Sequence, residues 1–511
     1  MHRFFRTIIT PVFATSSLLA VASGDVTVPF EIRVVDVETR RGVPLVELRT
    51  VDDVLYYTDN AGRAAFREPG LMDAQVFFHV RSHGYEHSSD GFGSRGRAIE
   101  ISPGGSAEIE IRRLNVAERM YRMTGYGLFR DSVLLGHQPP LAKPLLNSSV
   151  VGQDSVQASV YNGKIHWFWG DTDRIGYPLG NFRTTGATSP LPDLTDLPTS
   201  DGIDLSYFSD GDFVRPMTTL PSDGGNLMWI SGVVTVTDSD GSEKLIAHYD
   251  HRAGLGDPVG HGLLVWDDAE ERFAILQQIP LEEDWRHPIG QATRWEQGEQ
   301  TYLLFVRPWP VVRVADDFAA LQDRDAYEAF TCLDPGSRFS QGASQVERNA
   351  DGEVVWGWKR ETDPMNQVRE RELLEAGLLE AADAHFQLRD VETGDPVQVH
   401  RSTVNWNPHL RQWVKIASQI NGRSHLGEIW FAHADAPTGP WREARRIVTH
   451  DAYTFYNPAH HTFLDEDGGR FIYFEATYTN QFAGDTPATP YYDYNQIMYR
   501  LDVEMGRVAA E

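Results

Sequence analysis

Five short stretches of the chain repeat one theme. GKIHWFWGDT, EKLIAHYDHR, QTYLLFVRPW, RQWVKIASQ and RFIYFEATY each alternate aromatic and branched residues with period two, and each follows a polar or turn-like segment. That pattern makes a strand with at least one face on a core. A short multi-stranded unit recurring along one chain cannot bury its faces alone, so the units must pack side by side. The expected architecture over residues 150–505 is therefore a five-bladed β-propeller. One segment departs from it. NQVRERELLEAGLLEAADAHF spaces Leu373, Leu374, Leu378 and Leu379 as a helix does, which predicts a packing helix over about 366–386, inserted between blades three and four.

The rest of the chain divides around this repeat. Residues 1–24 combine a basic start, an apolar run and small residues near Ser23 and Gly24, the pattern of a removed signal peptide. Residues 25–114 carry short alternating strands and turn signals, a small β-sandwich, and residues 115–149 read as a connector. YYTDNAGRAAF followed by VRSHGY resembles the carboxypeptidase regulatory-like family, which implies an accessory module without catalysis, with Asp59 and Asn60 as turn residues. The whole is all-β: an N-terminal sandwich, then the propeller with its helical insertion. A single cysteine, Cys332, forbids an intrachain disulfide. With the N-terminal signal this predicts a bacterial periplasmic or secreted protein. The formal net charge of −27 argues against nucleic acid and anionic membranes as partners, and no run beyond the leader is apolar enough to span a bilayer. Oligomeric state is not read from the sequence.

The richest stretch is GQDSVQASVYNGKIHWFWGDT. Asn162-Gly163 is a two-residue hairpin turn, so partners across the hairpin have numbers summing to 325. Trp167 and Trp169 then face Ala158 and Val156, and Asp154 falls opposite Asp171 at the open end. Opposed side chains lie about 4.5–5.5 Å apart at Cβ, so the two carboxylates repel and their titrations split unless a cation intervenes. Acid–base catalysis uses such a pair; a calcium ion on Asp154, Asp171 and Asp173, or a turn-capping Asp171, are the competing uses. No other cofactor is called for. Equivalent positions in later blades hold Asp250, Arg307, Gln419 and Glu475, and taking EDGG as the last hairpin loop pairs His460 with Glu475. One face would then gather these with Asn457, His460 and His461. Trp169, Trp309 and Tyr456 are candidate sugar platforms, and Asn405 with the neighbouring Asn407 and His409 adds polar contacts.

These motifs resemble the five-bladed propeller glycoside hydrolases, the group that includes arabinanases, xylosidases and neoagarobiose hydrolases. GQDSV…WFWGDT is similar to the first blade of endo-D-arabinanase-like members, GEIWFAHADAPTGPW to a late blade, and YNPAHHTFLDEDGGRFIYFEATYT to the final hairpin. The resemblance implies hydrolysis of a poly- or oligosaccharide, with Asp154 as general base and Asp171 as the acid of the first blade's GDT. Blades two and three begin LMWISGVV and HPIGQATRW, without the acids that supply the modulator and proton donor in many members. Glu475 is then the expected donor, with His460 or His461 as substitute, Asp250 as modulator, and an inverting outcome. Trp169, Asp173, Arg307, Asn405, Tyr456, Asn457, His460 and His461 are the expected substrate contacts. Two rivals stand beside this reading. One is a polysaccharide lyase using Tyr456, His287 or His461 as base and Arg307 against a uronate. The other is a glycan-binding propeller without catalysis.

Overall fold

A computed structural model describes residues 28–218, 227–256 and 258–507; the expected signal peptide lies outside the described residues. Residues 30–113 form two four-stranded sheets. One runs Arg63–Phe66, Phe30–Asp36, Ser106–Arg113, Tyr85–Glu86, and the other Leu55–Tyr57, Glu47–Thr50, Gln75–Arg81, Gly96–Glu100. Alternation along these strands puts Ile32, Val34, Leu48, Phe66, Phe78 and Ile109 into one shared core between the sheets.

Beyond it the chain makes five blades. Their inner strands are Gln157–Tyr161, Leu227–Thr237, Gln291–Gln297, Val399–Asn407 and Thr454–His460, and every one pairs antiparallel with the aromatic strand that follows it. All five repeated segments are thus second strands, buried on both faces because neighbouring blades stack on them. The inner strands are tied around the ring by side chains. Ser159 Oγ meets Thr235 Oγ1 at 3.0 Å between blades one and two, Asn405 Nδ2 meets His460 Nδ1 at 3.2 Å between four and five, and Asn457 Nδ2 donates to Ser155 Oγ at 2.7 Å to close five onto one. Gln291 Nε2 of blade three reaches Val156 O of blade one at 2.9 Å, across the axis.

Two features depart from the sequence expectation. Blade five takes its outermost strand from Glu118–Arg122, which pairs with Asn495–Asp502; this piece of the expected connector belongs to the ring. Blades three and four also gain a fifth strand each, Gly357–Lys359 and Arg389–Asp390. The helical insertion lies between those two strands. Its helix spans Gln367–Glu375, where Asn366 caps the first turn by accepting from the amides of Val368 and Arg369. Leu373 and Leu379 are buried in the shared core of blades three and four, with Leu374 and Leu378 packed at its edge. Among the described residues no helix is long and apolar enough to cross a membrane.

Candidate active site

The inner strands leave two cavities in series along the axis. The first, about 400 Å³, is lined by the upstream ends of the inner strands: Asp154–Gln157, Trp229–Ser231, Gly290–Gln291, Arg401–Ser402 and Asn457–Pro458. The second, about 290 Å³, is lined by residues two to five positions further along each strand, such as Ala158–Val160 and Thr403–Asn405. Asp154 therefore sits at one end of the channel, and polar groups later in the strands sit towards the other.

The Asn162-Gly163 turn explains that placement. Both residues adopt positive φ, 48° and 71°, as the tight hairpin turn requires. The register it sets runs unbroken from Tyr161↔Lys164 through Gln157↔Phe168 and resumes at Gln153↔Thr172. Asp154 and Asp171 are consequently neighbours: Asp171 N donates to Asp154 Oδ1 at 2.8 Å and Gly170 N to Asp154 O at 2.9 Å. Gly170 leaves room for this contact, since a Cβ there would stand 2.8 Å from Asp154 Oδ1. Asp154 Oδ2 accepts from the Tyr456 hydroxyl of blade five. Two backbone positions beside the acid are held in the sparsely populated left-handed region, Ser155 at φ 56° and Asn457 at φ 52°, and their side chains bond each other.

Burial raises the Asp154 pKa above the usual carboxylate range, opposed by hydrogen bonds from Tyr456, the Asp171 amide, Tyr494 and Ser155. Burial and then the charge of Asp154 push Asp171 up to about 7, opposed by the Trp229 indole, whose Nε1 donates to Asp171 Oδ1 at 2.8 Å. Asp173 is raised by burial and by Asp154 and Asp493. Both carboxyl pKa values are raised and the two groups interact directly, so they titrate as a pair that retains a proton near neutrality, with more hydrogen-bond donors converging on Asp154.

Blade one is as expected, and blade five is not. Its strands pair Tyr456↔Thr477, then slip at a bulge, and resume at Ala459↔Glu475 and His460↔Phe474. Glu475 therefore faces the interior of the blade rather than the channel, the opposite of the expected His460–Glu475 pairing, and is 0 % exposed. Its Oε1 accepts from His461 Nε2 at 2.8 Å, its Oε2 has no hydrogen-bond partner among the described residues, and it lines neither axial cavity, so it cannot donate a proton to a substrate there. His460 and His461 line the second cavity, as does Asn405, apart from Asp154. His460 is held at both nitrogens, by Asn405 and by Asp465 Oδ1 at 2.9 Å, and is a structural tie. Trp169 and Trp309 are fully buried and offer no sugar platform; Lys415 Nζ lies 3.9 Å from the Trp309 ring centroid. Tyr456 is buried too and acts on Asp154 through its hydroxyl. Asp173 stands behind Asp154, outside both cavity linings. Asp250, Arg307 and Asn457 do line the first cavity with Asp154.

No family model matches the chain, and no curated protein does. Solved structures match in outline. A putative exo-β-1,3-galactanase from Bifidobacterium bifidum s17 is 11% identical, with 75% of this chain and 92% of that chain covered and a TM-score of 0.34. An exo-1,5-α-L-arabinanase from a bovine ruminal metagenomic library is 9% identical over 69% and 94%, at a TM-score of 0.35. An arabinanase from Bacillus subtilis is 8% identical over 68% and 93%, at 0.32. Likeness of this size transfers neither membership nor activity, and the site stands on its own geometry.

That geometry includes residues the sequence reading passed over. Trp229 pairs directly with Asp250 across blade two, and it is the tryptophan that lines the first cavity. Arg252 bridges to Asp250, Nη2 to Oδ2 at 3.3 Å, and its guanidinium carbon lies 5.7 Å from the Trp229 ring centroid. Arg401 enters from the inner strand of blade four. The signal for Trp229 and Arg401 was positional: both lie, like Asp154, at the upstream end of an inner-strand segment. Behind Ser231, the strand partner of His248, the imidazoles of His248, His261 and His287 gather with ligand-capable nitrogens within 4.8 Å of one another. Burial lowers the pKa of His248 and His287, and neighbouring histidines and Arg307 lower both further, so these two stay neutral.

Proposed function

We propose that the protein is an exported glycoside hydrolase acting on a poly- or oligosaccharide in the first axial cavity. The observation that supports this most is the pair of adjacent carboxylates, one of them lining a cavity of about 400 Å³, with a proton held near neutrality. Cleavage of a glycosidic bond needs a base or nucleophile on one side of the sugar and a proton donor at the leaving oxygen. In this reading Asp154, whose hydrogen bonds favour its ionised form against burial, activates the attacking water. Asp171 is a positioning residue that tunes Asp154 without entering the cavity. Asp250 is the other carboxylate of the lining and takes the donor role in place of Glu475 once substrate displaces Arg252. Trp229 offers the ring on which a sugar stacks.

The lyase reading fares worse. Burial and Asp154 raise the Tyr456 pKa well above its ordinary value, His287 is buried behind the wall, and His461 serves the second cavity. The test is a polysaccharide panel assayed for reducing ends and for ultraviolet absorbance of unsaturated products, wild type against Asp154→Asn and Asp250→Asn. Hydrolysis gives reducing ends alone, and Asp154→Asn abolishes them. Asp250→Asn is rescued on aryl glycosides, whose leaving groups need no acid. Turnover retained by folded Asp154→Asn removes this mechanism; binding without turnover in the wild type leaves a glycan-binding propeller.

A further inference from the structure

The first cavity carries opposite charges on opposite sides. Asp154 enters from blade one, with Asp171 and Asp173 behind it, whereas Arg307 and Arg401 enter from blades three and four. Three guanidiniums line the cavity with two carboxylates, and one of the three, Arg252, is already bridged to Asp250. Neither Arg307 nor Arg401 makes a side-chain hydrogen bond or ion pair among the described residues. They repel each other instead: burial and then the charge of Arg307 lower the Arg401 pKa to about 10, opposed only by the smaller effect of Asp250. The wall behind them brings no relief, because the buried His248 and His287 there are neutral.

A half-buried, unpaired Arg401 beside a second unpaired cation, in a chain of net charge −27, adds nothing to folding that an apolar side chain would not. Arg401 is half-buried, so its guanidinium loses hydration that an anionic partner would restore, while the exposed Arg307 lines the same cavity beside it. A metal ion on the three histidines is the poorer use of the same region, since Arg307 would face it as a like charge. The guanidinium fork matches planar carboxylate and tetrahedral sulfate oxygens alike. Resting on the hydrolase reading above, we propose that the cavity takes a sugar chain bearing an anionic group, a uronate carboxylate or a sulfate ester. That anion docks between Arg307 and Arg401, and the bond to be cleaved lies on the Asp154 side. Overall negative charge then disfavours anions everywhere except at this focus, so a neutral stretch of the same polymer is not held in register.

The experiment uses the full chain in two arms. Binding of acidic, sulfated and neutral oligosaccharides of matched length (oligogalacturonate, a sulfated galactan fragment, an arabinan fragment) is measured by calorimetry on Asp154→Asn, alone and combined with Arg307→Gln or Arg401→Gln, so that no turnover occurs. Turnover of the corresponding polymers is measured on the wild type, Arg307→Gln and Arg401→Gln. The expected result is binding of at least one anionic ligand and weak binding of the neutral one. Each arginine substitution should lower affinity and kcat/KM for the anionic chain by about 100-fold, with loss of salt sensitivity. Carboxylate and sulfate are told apart by which ligand binds. Equal or tighter binding of the neutral fragment, or arginine variants that bind the anionic ligand as well as Asp154→Asn does, overturns the proposal. Hydrolysis of neutral polymer alone would overturn it while leaving the hydrolase intact. Anion binding without any hydrolysis would uphold it and refute the hydrolase.

Discussion

Blades one and five each carry an acid in the second strand, near a bend in the inner strand, and the two acids have opposite fates. In blade one the hairpin keeps its register up to the bend, so Asp171 meets Asp154 beside a cavity. In blade five the inner strand bulges between Tyr456 and Ala459, the pairing beyond it is Ala459↔Glu475, and Glu475 is buried in the blade against His461. A single-residue slip in a strand exchanges its two faces. The comparison teaches that an acid's place in a repeat says little until the register between it and the nearest bulge is known.

The contrast can be broken by exchanging what each acid does. Asp154→Asn should lower kcat by at least about 10³-fold while the fold and melting temperature persist, because the base is lost and only hydrogen-bond capacity remains; circular dichroism beside turnover checks it. Glu475→Ala should do the reverse. Removing one partner of a buried, hydrogen-bonded pair costs about 3–5 kcal/mol, seen as a lower denaturant midpoint, with activity per folded molecule kept. Lost activity in a stably folded Glu475→Ala would return Glu475 to the mechanism.

Asp171→Asn sharpens the comparison through pH. Because the folded pKa of Asp171 is raised to about 7, the native protein holds a proton that the unfolded chain has released above the ordinary carboxyl range. Stability is therefore highest below about pH 4 on this group's account and falls as pH rises to about 7, by up to about 4 kcal/mol. The asparagine variant should lose that slope and be the more stable protein above pH 7, as thermal melts across pH 4–8 would show. The smallest effect is expected from Tyr456→Phe, which deletes one hydrogen bond to Asp154. Activity should fall about 10-fold, with the acidic limb of the pH–rate profile moved upward as the Asp154 carboxylate loses a stabilising donor.

Much of this was legible in the residues. The NG turn and strict period two carried the blade-one hairpin as far as its two acids, and the aromatic segments marked the second strand of all five blades. The leucine spacing marked the helix at Gln367–Glu375. Less was legible where geometry is non-local. The connection after His460 contains two tight turns, Thr462–Leu464 and Asp467–Gly469, rather than a simple EDGG hairpin loop, so the register beside it runs one residue off and pairs Ala459 with Glu475. Arg401 and Trp229 gain meaning only when separate blades bring their first residues to one mouth. Trp169 looked like a platform because aromatic content cannot distinguish a wall from a core.

The strand Glu118–Arg122 has a practical bearing on how this chain is made and dissected. It immediately follows the sandwich yet pairs with Asn495–Asp502, the last strand of the ring, so synthesis leaves it without its partner until about 370 further residues have been made. Its arginines also grip the other module: Arg119 Nε donates to Pro44 O at 3.0 Å, and Asn60 Nδ2 to Arg122 O at 2.9 Å. The fifth blade is thus a clasp fastened by the segment just after the sandwich, and trimming at residue 149 to isolate the propeller would remove the fastener and leave an open sheet edge prone to self-association.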